Sequence, residues 1–219
     1  MIKLDILALA AHPDDVELSS AGTLIKAIQQ GKKAGIVDFT RGELGTRGTP
    51  EIRMQEAQAA ATIMGLSARE NLGFRDGFFK NDEEHQLEVV KAIRKYQPEI
   101  VLANAIDDRH PDHGRASFLS KEACFLAGLA MIETVVDGVK QTPWRPKAVY
   151  HYIQSIPHTP DFIVDVSSVW ETKMNAIRAF KTQFHDPKCT SSLLFLDRKI
   201  ASGDLHFSLS RFSKEAIDA

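Results

Sequence analysis

The sequence predicts an α/β fold of the Rossmann-like, three-layer type, with a mostly parallel sheet in the strand order 3-2-1-4-5. Short apolar runs alternate with longer segments of helical periodicity along most of the chain. This alternation implies right-handed crossovers between parallel strands that helices cover on both faces. The length of 219 residues suits a single hydrophobic core, so we expect one domain over residues 1–219.

The first half of this pattern contains two strands and two helices. Ile2–Ala11 is a short apolar run, typical of a strand buried on both faces. Val16–Gln30 carries apolar residues at helical spacing before a glycine, which predicts a helix. Ala34–Thr40 is apolar again and predicts the second strand. Pro50 is a favourable first helical residue, and Glu51–Met64 continues the helical pattern.

The cycle then repeats. Arg69–Leu72 predicts a short third strand and His85–Tyr96 a helix. Glu99–Ala103 predicts the fourth strand and Asp112–Leu129 the helix after it. The remaining predicted elements are the strands Ala148–Tyr152 and Phe162–Val166 and the helix Val169–Thr182. From about residue 186 the pattern weakens, and we predict no element there.

Composition excludes several classes of protein. The 43% hydrophobic fraction excludes a disordered chain, and 27 Lys+Arg against 29 Asp+Glu leave no basic footprint for nucleic acid. The longest apolar run, Ala123–Ile132, is too short to span a membrane, and Asp5 interrupts the N-terminal apolar stretch, so no signal peptide is expected. Two distant cysteines suit a reducing compartment. We therefore expect a cytoplasmic protein without nucleic-acid or membrane partners.

Histidines and acidic residues concentrate in two loops. One is the segment 12–17 (HPDDVE), directly after the first strand, and the other is the segment 107–113 (DDRHPDH), directly after the fourth. In strand order 3-2-1-4 these strands are neighbours, and ligands bind beyond the carboxyl ends of such strands. The two loops are therefore expected to meet in one crevice.

The residue types in these loops suit metal-assisted hydrolysis. His12, His113 and Asp15 make a two-histidine, one-carboxylate set, which is frequent in catalytic zinc sites with an open position for water. Asp14 is expected to point away from Asp15 and to act as general base. His110 would stabilise the oxyanion or protonate the leaving amine.

Helix capping is the simpler explanation for each motif taken alone. Asp14 or Asp15 would cap the first helix and Asp112 the helix after the fourth strand, because aspartate is strongly preferred there. Taken together, however, so many titratable groups in two converging loops favour a metal or proton-transfer role. In that interpretation Asp112 holds the ring of His110 in one orientation.

These motifs resemble those of the LmbE-like (PIG-L) zinc-dependent N-deacetylases. The resemblance rests on the segments 12–17 and 110–113, on the glycine-rich segment 40–48 (TRGELGTRG), and on Arg53 and Glu56. The resemblance covers roughly residues 3 to 185. Within the family, the motifs are most similar to those of the bacterial N-acetylglucosaminyl-malate deacetylases of bacillithiol biosynthesis. The C-terminal region from about residue 186 departs from the family pattern.

The resemblance implies specific roles. It makes His12, Asp15 and His113 zinc ligands and Asp14 the general base, and it places His110 near the reacting carbonyl. Guanidinium groups would bind the substrate, since they match a carboxylate with two hydrogen bonds. The candidates are Arg53, Arg109 and Arg47.

The expected activity is removal of the acetyl group from an N-acetylglucosamine conjugate, most simply the malate conjugate, by a homo-oligomer that uses Zn²⁺ or, in the same site, Fe²⁺. Another conjugate of the sugar remains open. A non-haem iron(II) oxygenase is one rival, because it uses the same kind of ligand set. A sugar-binding homologue whose altered C-terminus impairs catalysis is a second rival.

Overall fold

The computed structural model describes residues 2–184, with side chains, and the backbone of residues 209–215. Most of the region predicted to be atypical, from about residue 186, therefore lies outside the described residues. Only its strand at 209–215 can be placed.

A seven-stranded sheet forms the centre of the fold, in the order β3-β2-β1-β4-β7-β9-β8. The first five of these strands are mutually parallel, and the last two joins in the sheet are antiparallel. Within the described residues the strands are β1 (Ile6–Ala10), β2 (Ala34–Thr40), β3 (Ala68–Phe74), β4 (Ile100–Ala103), β5 (Val135–Val136), β6 (Val139–Lys140), β7 (Ala148–Tyr152), β8 (Phe162–Asp165) and β9 (Leu209–Glu215).

The predicted strand order 3-2-1-4-5 is confirmed, with β7 as the fifth predicted strand. Its number differs because β5 and β6 form a separate hairpin that the prediction omitted. The turn of this hairpin is Asp137-Gly138, and both residues have positive φ angles of 53° and 75°. Such a pair suits a tight hairpin turn.

The helices are α1 (Asp15–Ser19), α2 (Ala21–Gln29), α3 (Pro50–Met64), α4 (Glu83–Tyr96), α5 (Pro111–Ala127), α6 (Trp170–Ala179) and α7 (Lys181–Phe184). The prediction of one continuous helix is wrong in two places, because each of these segments forms two helices. Ser20 interrupts Val16–Gln30, and Phe180 (ψ 66°) interrupts Val169–Thr182. The break at Ser20 coincides with a tertiary contact: the Lys173 ammonium binds the carbonyls of Leu18 and Ser19, which a continuous helix would use itself.

Helices cover both faces of the sheet, as a three-layer fold requires. Along β1, Leu7 and Leu9 join one buried cluster, and Ala8 and Ala10 join the other, as the alternation of side chains in a strand dictates. The first cluster includes residues of α4 and α5, and the second includes residues of α1, α2, α3 and α6. Among the described residues, no helix is long and apolar enough to cross a membrane.

Candidate metal centre and active site

The two acidic loops meet at the carboxyl edge of the sheet. Strands β1 and β4 are parallel neighbours in the register Ile6↔Ile100, so the loops that follow them start side by side. Asp15 Oδ1 lies 3.1 Å from His113 Nε2, and His12 Nε2 lies 3.3 Å from Asp112 Oδ2. The expected crevice is therefore present.

Neutral donors hold both oxygens of the Asp15 carboxylate. Oδ2 accepts hydrogen bonds from the His12 backbone N–H (3.0 Å) and from Asn104 Nδ2 (3.0 Å). Oδ1 accepts a hydrogen bond from Gln154 Nε2 (3.1 Å). Burial works to raise the pKa of Asp15, but the neighbouring His113 and His12 outweigh it and hold that pKa well below its usual range.

The two histidines are arranged in the same way around Asp15. His12 Nδ1 is 3.7 Å from Asp15 Oδ2, while its Nε2 lies 3.1 Å from Asp76 Oδ1. His113 presents Nε2 to Asp15 and places Nδ1 3.0 Å from Asp108 Oδ1. Each ring thus directs one nitrogen to Asp15 and the other to an outer carboxylate. Metal-binding histidines commonly show this pattern, so the residues fit a divalent ion.

Two groups of described side chains bring potential metal-ligand atoms close together, and His12 belongs to both. His12, His110 and His113 can each offer one ring nitrogen, and these atoms lie within 4.8 Å of one another. The same holds for single atoms of His12, Asp76 and Asp112. Burial works to lower the pKa of His12, but hydrogen bonds to Asp112, Asp15 and Asp76 raise it to about 12. The carboxylates around His12 therefore favour positive charge at the centre of the crevice.

Asp14 has an unusual backbone conformation. Its φ of 114° is a strained value for a residue with a side chain, and its carboxylate does not cap α1. Asp14 Oδ2 instead accepts a hydrogen bond from Arg53 Nη2 (2.9 Å). Burial raises the pKa of Asp14 to about 7, although the charge of Arg53 acts in the opposite direction. A carboxylate with such a pKa suits proton transfer near neutrality.

His110 begins α5. Its Nδ1 accepts a hydrogen bond from the backbone N–H of Asp112 (3.3 Å), so in the neutral ring the proton lies on Nε2. Its ring centroid is 4.7 Å from that of His12. Burial lowers the pKa of His110, and the charges of His12 and His113 lower it further. The ring is therefore suited to donating a hydrogen bond into the crevice.

The Asp112 carboxylate has partners other than the predicted one. It contacts His12 rather than the ring of His110, and its Oδ2 also accepts the Gly77 N–H (2.8 Å). Its other oxygen pairs with Arg115. Since His110, not Asp112, caps α5 with its side chain, the capping explanation for Asp112 is wrong, as it is for Asp14.

The three candidate arginines lie in different surroundings. Arg53 is buried on α3 and also donates to the Pro13 carbonyl (2.7 Å), while its Nε has no hydrogen-bond partner among the residues described. A Cβ on Gly42 (φ 65°) would collide with Arg53 Nη1, so a side chain at this position would displace the guanidinium. Arg47 Nη1 donates to the carbonyl of Gln183 (3.1 Å). Arg109 is exposed in the loop beside His110.

Four residues of the site were not assigned a role from the sequence: Asp76, Asp108, Asn104 and Gln154. Asp76 and Gln154 lie two residues beyond β3 and β7, and Asn104 directly follows β4. Because parallel strands direct their carboxyl ends to one edge of the sheet, the position of these three residues just after predicted strands is a sequence signal for the site. Asp108 lay inside a recognised motif, but spacing alone does not show that it contacts His113.

Comparison with known proteins agrees with this geometry. The sequence model of the PIG-L family, described as GlcNAc-PI de-N-acetylase, matches residues 7–124, which include every proposed metal ligand. The chain belongs to this family.

Individual PIG-L relatives extend the likeness over most of the chain. The chain is 32% identical to the diacetylchitobiose deacetylase of Thermococcus kodakarensis, over 82% of this chain and 70% of that protein. It is 27% identical to the 4-oxalmesaconate hydratase of Pseudomonas putida (82% and 74% covered). It is 26% identical to the probable N-acetyl-alpha-D-glucosaminyl L-malate deacetylase 2 of Bacillus subtilis (83% and 84% covered).

A solved structure has a similar fold. The conserved protein TT1542 from Thermus thermophilus superposes with a TM-score of 0.83 at 35% identity, and the match covers 99% of this chain and 96% of that one. The PIG-L family and the α/β fold predicted from the sequence are both confirmed.

Proposed function

We propose that this PIG-L protein is a metal-dependent deacetylase that removes the acetyl group from an N-acetylglucosamine conjugate. His12, Asp15 and His113 would hold Zn²⁺, with Fe²⁺ as the alternative ion in the same site. The observation that carries the proposal is the matched arrangement of the two histidines, each between Asp15 and an outer carboxylate.

The bound ion would lower the pKa of a water molecule towards about 7 and polarise the acetamide carbonyl. The protein's own groups supply the proton transfers. Asp14, with a pKa raised to about 7, takes the proton from the attacking water and can return it to the departing amine. His110 donates from Nε2 to the oxygen of the reacting carbonyl. Arg53 fixes the Asp14 carboxylate through its Nη2, beside the position where the substrate would bind.

The substrate is expected to be a soluble amino-sugar conjugate with an anionic aglycone, most simply malate. The exposed Arg109, next to His110, is the guanidinium best placed to meet a carboxylate from solvent, since Arg47 is bound to Gln183. The Bacillus relative is named for a malate conjugate and the Thermococcus relative for diacetylchitobiose, which is uncharged. A homo-oligomer in the cytoplasm stays our prediction.

Acetate release from three substrates tests this function: N-acetylglucosaminyl-malate, the corresponding inositol conjugate and diacetylchitobiose. We expect release that a chelator abolishes and added Zn²⁺ restores. Arg109→Ala should raise the KM for the malate conjugate about tenfold, which is the effect of one lost charge-assisted hydrogen bond. The KM for diacetylchitobiose should stay unchanged. An equal effect on both substrates would contradict an anionic aglycone.

Two outcomes would replace the deacetylase proposal. Binding of the sugar conjugates without acetate release, in protein loaded with metal, would favour the sugar-binding interpretation. Hydration of 4-oxalmesaconate without deacetylation would favour the activity named for the Pseudomonas relative.

A further inference from the structure

The loop that follows β7, residues 153–156, is a third element of the metal centre. Gln154 Nε2 donates a hydrogen bond of 3.1 Å to Asp15 Oδ1. Asp15 follows β1, and His113 follows β4. Gln154 approaches Asp15 from β7, the next strand of the sheet. The position of this carboxylate therefore depends on a segment far from the motifs in sequence.

The hydrogen bonds fix the orientation of the Gln154 amide. Its Oε1 accepts from Asn104 Nδ2 (3.0 Å) and from the Ala105 backbone N–H (3.2 Å), which leaves Nε2 facing Asp15. A flipped amide would set its NH₂ against two donors and its oxygen against a carboxylate. Asn104 is fixed in the same way, because its Oδ1 accepts from the Ala11 N–H (2.9 Å). Both side-chain amides thus present N–H groups to Asp15.

Amide donors have a particular advantage at a metal ligand. They orient a carboxylate without neutralising it, so the full negative charge stays available to a cation. The adjacent Asp14 shows the contrast, since it is paired with the charged Arg53. Hydrogen bonds that orient the ligands of a metal are worth about 10–100-fold in its affinity.

The same loop also supports a second ligand. The Ser155 backbone N–H donates to Asp108 Oδ2 (2.7 Å), and the Ile156 N–H lies 3.4 Å from the same oxygen. The other oxygen of Asp108 is 3.0 Å from His113 Nδ1. One short loop therefore contacts Asp15 directly and His113 through one carboxylate.

We propose that Gln154 is a positioning residue for Asp15, and that the loop after β7 sets the affinity of the site for its divalent ion. The inference rests on the proposed function, in which Asp15 is a metal ligand. It adds a residue outside the motifs and assigns it an effect on metal binding that is measurable without substrate.

The test compares Gln154→Met with wild type as metal-free proteins. Zn²⁺ affinity is measured by competition with a chromophoric chelator, and the visible spectrum of the Co²⁺-loaded protein reports ligand geometry. Methionine keeps the length of the side chain and removes the amide. We expect the Kd for Zn²⁺ to rise about 10–100-fold and the Co²⁺ bands to shift.

Gln86→Met is the matched control. Gln86 Nε2 donates to the Glu122 carboxylate (2.7 Å) between α4 and α5, so the same substitution removes the same type of bond outside the metal centre. Its Kd and Co²⁺ spectrum should equal those of wild type. Thermal unfolding of the metal-free proteins verifies that both variants fold. If Gln154→Met does not fold, Gln154→Asn, which keeps the amide but retracts it by one methylene, should show the same loss of affinity.

The outcomes separate the two proposals. Wild-type protein that binds no Zn²⁺ would overturn the proposed function and the positioning role with it. Wild-type binding, together with a Kd for the Gln154 variant within about twofold of wild type and an unshifted Co²⁺ spectrum, would overturn the positioning role alone.

Discussion

The strained backbone at Asp14 predicts that glycine is more stable than alanine at this position. Asp14 has φ 114° and ψ −21° at the start of α1, a conformation that glycine adopts without steric cost. Asp14→Gly and Asp14→Ala both remove the carboxylate that pairs with Arg53. The loss of that pair therefore cancels when the two variants are compared, and the difference in backbone conformation remains.

The expected difference follows from two opposing effects. Holding a residue with a Cβ in such a conformation costs on the order of 1–3 kcal/mol. Glycine loses about 0.5–1 kcal/mol more than alanine through the conformational entropy of the unfolded chain. Asp14→Gly should therefore exceed Asp14→Ala by about 1 kcal/mol in the free energy of unfolding, or about 2–4 °C in Tm for a chain of this length.

Urea and thermal unfolding followed by circular dichroism measure this difference in metal-free protein. Gln30 is the control, because it is exposed at the end of α2 with an ordinary φ of −86°. There the sign should reverse, and Gln30→Gly should be less stable than Gln30→Ala by about 0.5–1 kcal/mol. Glycine no more stable than alanine at position 14 would refute the strain argument. Both Asp14 variants should lose acetate release by about 10²–10⁴-fold, since each lacks the proposed base.

Two further predictions concern buried charges near α1. Burial lowers the pKa of Lys173 to about 8, so between that pH and its ordinary pKa near 10.5 the unfolded chain holds a proton that the folded chain has released. The contribution of Lys173 to stability therefore rises with pH across that window. In urea unfolding, the free energy of unfolding of wild type relative to that of Lys173→Met should increase by about 2 kcal/mol between pH 7 and 9.5. A difference that stays constant over this pH range would contradict the prediction. Arg69 binds both Glu17 and Asp38 in the interior, so Arg69→Met should cost about 3–5 kcal/mol, whereas Lys95→Met at a half-exposed pair should cost about 0–1 kcal/mol. Equal costs in urea unfolding would show that the buried network adds nothing.

Much of the fold was predictable from local patterns. Apolar runs and helical spacing identify every strand of the parallel core, and the order of neighbouring strands follows from the rules of this fold class. Helix breaks were not predictable. The apolar spacing continues through Ser20, and the contact found at the break comes from Lys173 of a helix distant in sequence.

The site was predictable where several chemical groups occur in one motif, as in the loops of His12 and His113. Asp76 and Gln154 are single polar residues after strands, and many such residues only bind solvent. Their contacts exist only when strands far apart in the chain become neighbours. The Asp137-Gly138 turn is different, since its signal was local and sufficient for a hairpin.

The distribution of the site over the strand ends has a consequence for biosynthesis. A growing chain displays His12 and Asp15 early, but His113 follows only after β4, and Gln154 only after β7. If these residues hold the ion as proposed, the early ones alone would be weak, incomplete chelators during translation. Firm capture of the ion would then wait until β7 has joined the sheet, which would couple metal loading to assembly of the sheet.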